Sequence, residues 1–141
     1  MSIITRRTLL SGIALMPVAA MAQTSAPADA SVYFIAPYNG ARIRGPVVVR
    51  FGLRNMGVTQ AGSTASNSGH HHLLIDVNDP IDPNEPIPSD KNHLHFGGGQ
   101  TETSLDLPPG RHTLQLVLGD AQHRPFNPML MSPKIRITVR R

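Results

Sequence analysis

Pro108-Pro109-Gly110-Arg111-His112-Thr113-Leu114-Gln115-Leu116-Val117-Leu118 is the stretch that decides the fold class. Two prolines and a glycine turn the chain. The residues after them alternate: His112, Leu114, Leu116 and Leu118 fall on one face, Thr113, Gln115 and Val117 on the other. Period two marks a strand resting on a core, because successive side chains point to opposite sides of the pleat. The pattern returns on both sides. Lys134 to Val139 sets Ile135, Ile137 and Val139 on one face, and Thr103 to Leu107 alternates. Upstream, Val32 to Ile35, Val47 to Leu53, His71 to Val77 and Leu94 to Phe96 are short runs bounded by Gly, Pro and Asn. Helical periodicity is almost absent. These features predict an all-β domain, a single antiparallel β-sandwich of immunoglobulin type with about seven strands.

The N-terminal residues belong to another class. A basic start with Arg6-Arg7, an apolar run from Leu9 to about Ala20, and the small-x-small end Ala20-Met21-Ala22 predict a cleaved signal peptide over residues 1–22. Thr5-Arg6-Arg7 followed by Leu9-Leu10 resembles a twin-arginine signal, which implies export of an already folded passenger. Gly12 and Pro17 interrupt the run, which falls short of the roughly twenty apolar residues a membrane span requires. No stable membrane insertion is therefore expected after cleavage, and the product is expected in the periplasm or secreted. Gln23 to Ala30 is small and polar and reads as a flexible leader. Residues 31–141 then form one domain, of a size that supports a single core.

Composition removes several function classes. The chain has no cysteine, which excludes disulfides, thiolate ligands and a lipidated N-terminal cysteine. Without Arg6 and Arg7, the 13 Lys+Arg against 9 Asp+Glu leave a net charge near +2, which is not a nucleic-acid footprint. Arg136, Arg140 and Arg141 at the tail read as solvating charge. No Gly-x-Ser-x-Gly elbow, His-Glu-x-x-His helix or phosphate-binding Gly-Lys-Ser/Thr is present. The acidic loop with Asp79, Asp82, Glu85 and Asp90 lacks the order of a calcium loop.

Histidine remains. Gly69-His70-His71-His72-Leu73-Leu74-Ile75-Asp76 and His93-Leu94-His95-Phe96 hold five of the seven histidines. Imidazole is the commonest protein ligand for copper and zinc, and residues two apart on a strand share a face. Period two places His70, His72, Leu74 and Asp76 on one face, and His71 with Leu73, Ile75 and Val77 on the other. His93 and His95 form a second alternating pair. His123 lies in a turn free to reach a site at the end of the sandwich. His112 is in phase with three leucines and reads as a core histidine with ring nitrogens bonded to backbone, as does His71. Met129 and Met131 share a face and read first as packing, though a thioether beside imidazole suits copper(I). Glu102 is a candidate carboxylate ligand, a partner that orients a histidine, or a general base should the protein be an enzyme, with a surface salt bridge as its remaining reading.

On these residues the chain resembles an uncharacterised family of small exported bacterial domains. The resemblance is carried by Gly69 to Asp76, by His95-Phe96-Gly97 with Gly99-Gln100-Thr101-Glu102, and by Gly110 with His112-Thr113-Leu114-Gln115-Leu116 and Gly119-Asp120. It implies an exported domain and names no reaction. His93 is less characteristic of the pattern than His95, which favours a metal set of His70, His72, His95 and His123. His71, His93, His112 and Asp76 are secondary candidates. A histidine and cysteine iron site of the desulfoferrodoxin type is excluded by the missing cysteine. The sequence reading is a periplasmic metal-binding module, copper favoured over zinc, with a metal-dependent redox enzyme and a structural β-sandwich with a metal-free histidine cluster as alternatives.

Overall fold

Each of the seven expected strands forms, and two more join them. The computed structural model describes residues 22–141, so the expected signal peptide lies, up to residue 21, outside the described residues. The strands are β1 (Ser31–Ala36), β2 (Arg42–Arg44), β3 (Val47–Arg54), β4 (Gly57–Val58), β5 (Ser68–Ile75), β6 (His93–His95), β7 (Glu102–Leu105), β8 (Gly110–Gly119) and β9 (Ile135–Arg140). No helix occurs among the described residues. One sheet has the order β1-β3-β7; the other has the order β2-β9-β8-β5-β4, with β6 also paired to β5. The two together make an all-β sandwich.

The strands beyond the expected seven are β2 and β4, and both pair in parallel, β2 with β9 and β4 with β5. The expected antiparallel arrangement therefore holds for the long strands, and parallel pairing is confined to these two short additions. They escaped the pattern reading because three and two residues are too few to display an alternation.

The core lies between the sheets. Val47, Val49 and Phe51 from β3 meet Leu73 and Ile75 from β5, and Leu114, Leu116 and Leu118 from β8. Alternation on β8 and β9 is as read, with Ile135, Ile137 and Val139 buried. A second apolar cluster, Leu74, Val77, Ile81, Ile87 and Val117, covers part of the outer face of the larger sheet, with Met129 and Met131 packed against it. Val77 belongs to this outer cluster and not to the inner row expected of it. The cause is local: β5 ends at Ile75, and Asp76 takes a φ of 56°, the left-handed region, so the period breaks there.

Residues 24–27, expected as leader, run beside residue 127. Ala26 N–H donates to Asn127 O, Asn127 N–H donates to Thr24 O, and Ala26 packs on the core. Among the described residues no helix is long and apolar enough to cross a membrane.

Candidate metal centre

The centre is built on β5 and its two neighbours. Three consecutive histidines on an extended strand must alternate, and all three are fully buried for different reasons. His71 points into the sandwich, its ring 5.1 Å from Phe51. His70 and His72 point outward, beneath the loops that cover this end of the sheet. Pairing sets what surrounds them: His72 stands opposite His95 of β6 on one side and Val117 of β8 on the other, and His70 stands opposite Gly119. The site therefore lies on the outer face of the larger sheet, not at the end of the sandwich as expected.

Four imidazoles gather there. Ring centroids are 4.9 Å apart for His70 and His72, 4.9 Å for His70 and His95, and 5.0 Å for His72 and His95. His123 stands 4.7 Å from His95, 5.1 Å from His70 and 6.2 Å from His72. The ligand atoms of His70, His72 and His95 lie within 4.8 Å of one another, so these three form a group that can hold a metal ion. Nε2 of His70 and Nε2 of His72 are 3.1 Å apart, within hydrogen-bond distance. Two nitrogens bound at about 2.0–2.1 Å to one tetrahedral ion stand about 3.3 Å from each other, so this pair is already near a coordination edge.

Glycines make room for the rings. A Cβ on Gly119 would lie 2.8 Å from His72 Nε2, and a Cβ on Gly97 would lie 2.4 Å from His95 Cε1. Any side chain at either position would displace an imidazole.

His123 is placed by a turn with its own internal bonding. Asp120 Oδ1 accepts the N–H groups of Gln122 and Arg124, its Oδ2 accepts the Thr24 hydroxyl, and His123 N–H donates to Asp120 O. His123 has a φ of 64°, uncommon for a residue with a Cβ, and the turn holds it there. Asp120 was not singled out for any role by the sequence, although an aspartate directly after a strand is a regular turn-former.

The electrostatics favour neutral rings. Burial, and then the charge that His95 and His123 would carry, lower His70 to about 4, with Asp120 opposing the shift. Burial and the neighbouring histidines lower His72 to about 3. His95 is lowered by burial and then by His123. Neutral imidazole is the ligating form, so at neutral pH no proton must be removed before an ion is bound. Hydrogen bonding within the group is sparse. His70 Nδ1, His72 Nδ1 and His95 Nε2 are buried with no hydrogen-bond partner.

The remaining candidates sit elsewhere. His93 Nδ1 is 2.8 Å from Asp90 Oδ1, which also accepts the backbone N–H groups of Asn92 and His93. His112, at the opposite end of the β5–β8 pair, has Nδ1 2.7 Å from Asp76 Oδ2 and Nε2 2.7 Å from Pro108 O. Asp76 Oδ1 accepts Thr113 N–H. Asp76 thus leaves its expected place in the outer row of β5 and serves His112, whose partners are one carbonyl and one carboxylate. His71 has neither ring nitrogen bonded, unlike the backbone-bonded core histidine expected. Burial and then His70 lower it to about 4. Glu102 is on the smaller sheet, 3.2 Å from Arg50 Nε, with both side chains more than half exposed.

The match to known families falls on this same region. Residues 49–140 match the model of a domain of unknown function, DUF4399. The chain belongs to that family. The DUF4399 match spans β3 to β9 and so includes every histidine of the centre. Comparison with curated proteins returns no match. Among solved structures, the endo-beta-1,4-mannanase from Thermotoga petrophila is similar at 20% identity and a TM-score of 0.44, over 79% of this chain and 20% of the mannanase. This chain thus spans a fifth of that protein's length, and the likeness is too low to carry any property across.

Proposed function

We propose that this DUF4399 domain is a metal-binding module that works after export, in the periplasm or outside the cell, and holds one copper ion through His70, His72, His95 and His123. The observation that carries the reading is the convergence of buried imidazoles whose only mutual hydrogen bond joins His70 Nε2 and His72 Nε2, while His95 Nε2, His70 Nδ1 and His72 Nδ1 have no partner. A structural cluster would satisfy those atoms, because an unpaired buried polar group costs about 1–3 kcal/mol. Coordination through His95 Nε2 would satisfy that atom, and an ion between the Nε2 atoms of His70 and His72 would replace their mutual contact.

Copper is favoured over zinc on the donor set. A site of imidazoles alone, without carboxylate or thiolate, follows the usual order of divalent affinities, in which copper(II) exceeds zinc. When bound, copper would supply a redox-capable Lewis acid. His70 and His72 are inaccessible to solvent, which leaves a substrate little approach to an ion between them. That burial, and the position of Glu102 in an ion pair on the other sheet, support metal handling over an enzymic role. The sequence pattern of residues 1–22 supports export.

The test is elemental analysis of untagged protein purified from the periplasm, beside His72→Ala. The expected result is close to one copper per chain in the wild type and none in the variant. Absence of copurified metal, together with no binding of added copper or zinc at micromolar concentration and neutral pH, would overturn the proposal.

A further inference from the structure

The outer face of the larger sheet changes character across its width. Around β5 it is covered by loops; across β2, β9 and the start of β8 it is bare. Register partners share a face, so Arg42 of β2, Thr138 of β9 and Arg111 of β8 form one row. Two residues along β9 in either direction stand Arg136, and Arg140 directly opposite Arg44. Five arginines therefore share one side of three adjacent strands. All five are exposed, and among the described residues none is in an ion pair. Like charges placed directly opposite each other on a sheet are destabilising. The fold has no need of this arrangement, since the opposite faces of the same strands carry the core.

We propose that this face is a docking surface for a bilayer rich in anionic phospholipid. The dimensions suit a planar array of phosphates: the patch is about 10 Å across three strands and about 13 Å from Arg136 to Arg140 along β9. Every cation in it is arginine, whose fork pairs phosphate oxygens two at a time. A cavity of about 290 Å³ opens between Arg111, Arg136 and the turn at Gly40; Asp76 and His112 also line it, the Asp76 carboxylate being engaged by His112 and by Thr113 N–H. The same turn carries Tyr38, 75% exposed, and tyrosine is a residue of membrane interfaces. A duplex is a poorer fit, because the face is flat and presents no helix or ribbon to enter a groove. The inference does not depend on the metal proposal.

The test is co-sedimentation of the full chain with vesicles of phosphatidylcholine alone or mixed equally with phosphatidylglycerol. Binding is expected only to the mixed vesicles, and is expected to be lost as salt is raised and the screening length shrinks. The pair Arg111→Gln with Arg136→Gln is expected to weaken it by about twenty-five-fold, at about fivefold for each arginine. Arg50→Gln with Arg54→Gln, the same charge change on the smaller sheet, is expected to leave it unchanged. Equal loss from both pairs would overturn the proposal, since net charge alone would then account for it. So would binding to both kinds of vesicle alike, absence of binding at low salt, or self-association of the chain through this face that vesicles do not displace.

Discussion

Two histidine sites occupy opposite ends of the same strand pair, β5 and β8. At one end His112 has an acceptor on each ring nitrogen, Asp76 and the Pro108 carbonyl. Burial alone would lower its pKa, but these bonds and the Asp76 charge prevail and raise it. Two acceptors suit a ring with two N–H groups, so His112 is built to carry charge. At the other end His70, His72 and His95 have mainly one another, and burial holds them neutral. What separates a structural histidine from a candidate ligand here is the chemistry of its neighbours. The first has an oxygen acceptor on each ring nitrogen, and the second has other imidazoles around it.

The comparison can be broken from either end. The largest effect is expected at the ligand end, where His72→Ala lowers copper affinity by at least about a hundredfold in a competition titration, more than the loss of a partner behind a ligand costs. His112→Gln is expected to leave that affinity unchanged. In chemical denaturation it removes about 1.5–3 kcal/mol of stability, the range for hydrogen bonds of a charged group.

The two ends also respond to pH with opposite sign. For His112 the folded pKa is raised, so its contribution is fully present below the ordinary value of 6.5 and is lost as pH rises through the folded value. For His70 and His72 the folded pKa is lowered, so stability of the metal-free protein is present above 6.5 and is lost as pH falls toward about 4 for His70 and about 3 for His72. Asp76→Asn should abolish the first dependence and leave the second, as read from denaturation midpoints across pH.

A smaller effect is expected from His71, which shares neither environment. Its unbonded ring is buried against Phe51, so His71→Leu, close in volume, is expected to stabilise the protein by about 1–3 kcal/mol with metal binding intact. The smallest is Glu102→Gln. Its ion pair with Arg50 is exposed, and a stability change under about 0.5 kcal/mol is expected with no change in bound copper.

What the sequence made legible followed from period two. It separated His71 from His70 and His72, and it placed the leucines of β8 and the isoleucines of β9 in the core. It was blind to whatever depends on which strands become neighbours. β2 and β4 are strands only because longer ones lie beside them. Nothing in His93-Leu94-His95 says that its second histidine will stand opposite His72. The carboxylate that removes His112 from the ligand set lies 36 residues away, past the break in period at Asp76. Arg136 and Arg140 read as solvated tail until the sheet order sets them beside Arg42, Arg44 and Arg111.

The central claim is that the ring nitrogens at one end of β5 and β8 bind metal and those at the other do not. Nitrogen-15 NMR of the imidazoles, recorded while copper(I) is added to the folded protein, tests it directly. The account predicts that the resonances of His70, His72 and His95 move together and saturate at one equivalent, while those of His71 and His112 stay in place. Movement of His112, or no movement at any of the three by one equivalent, would contradict it.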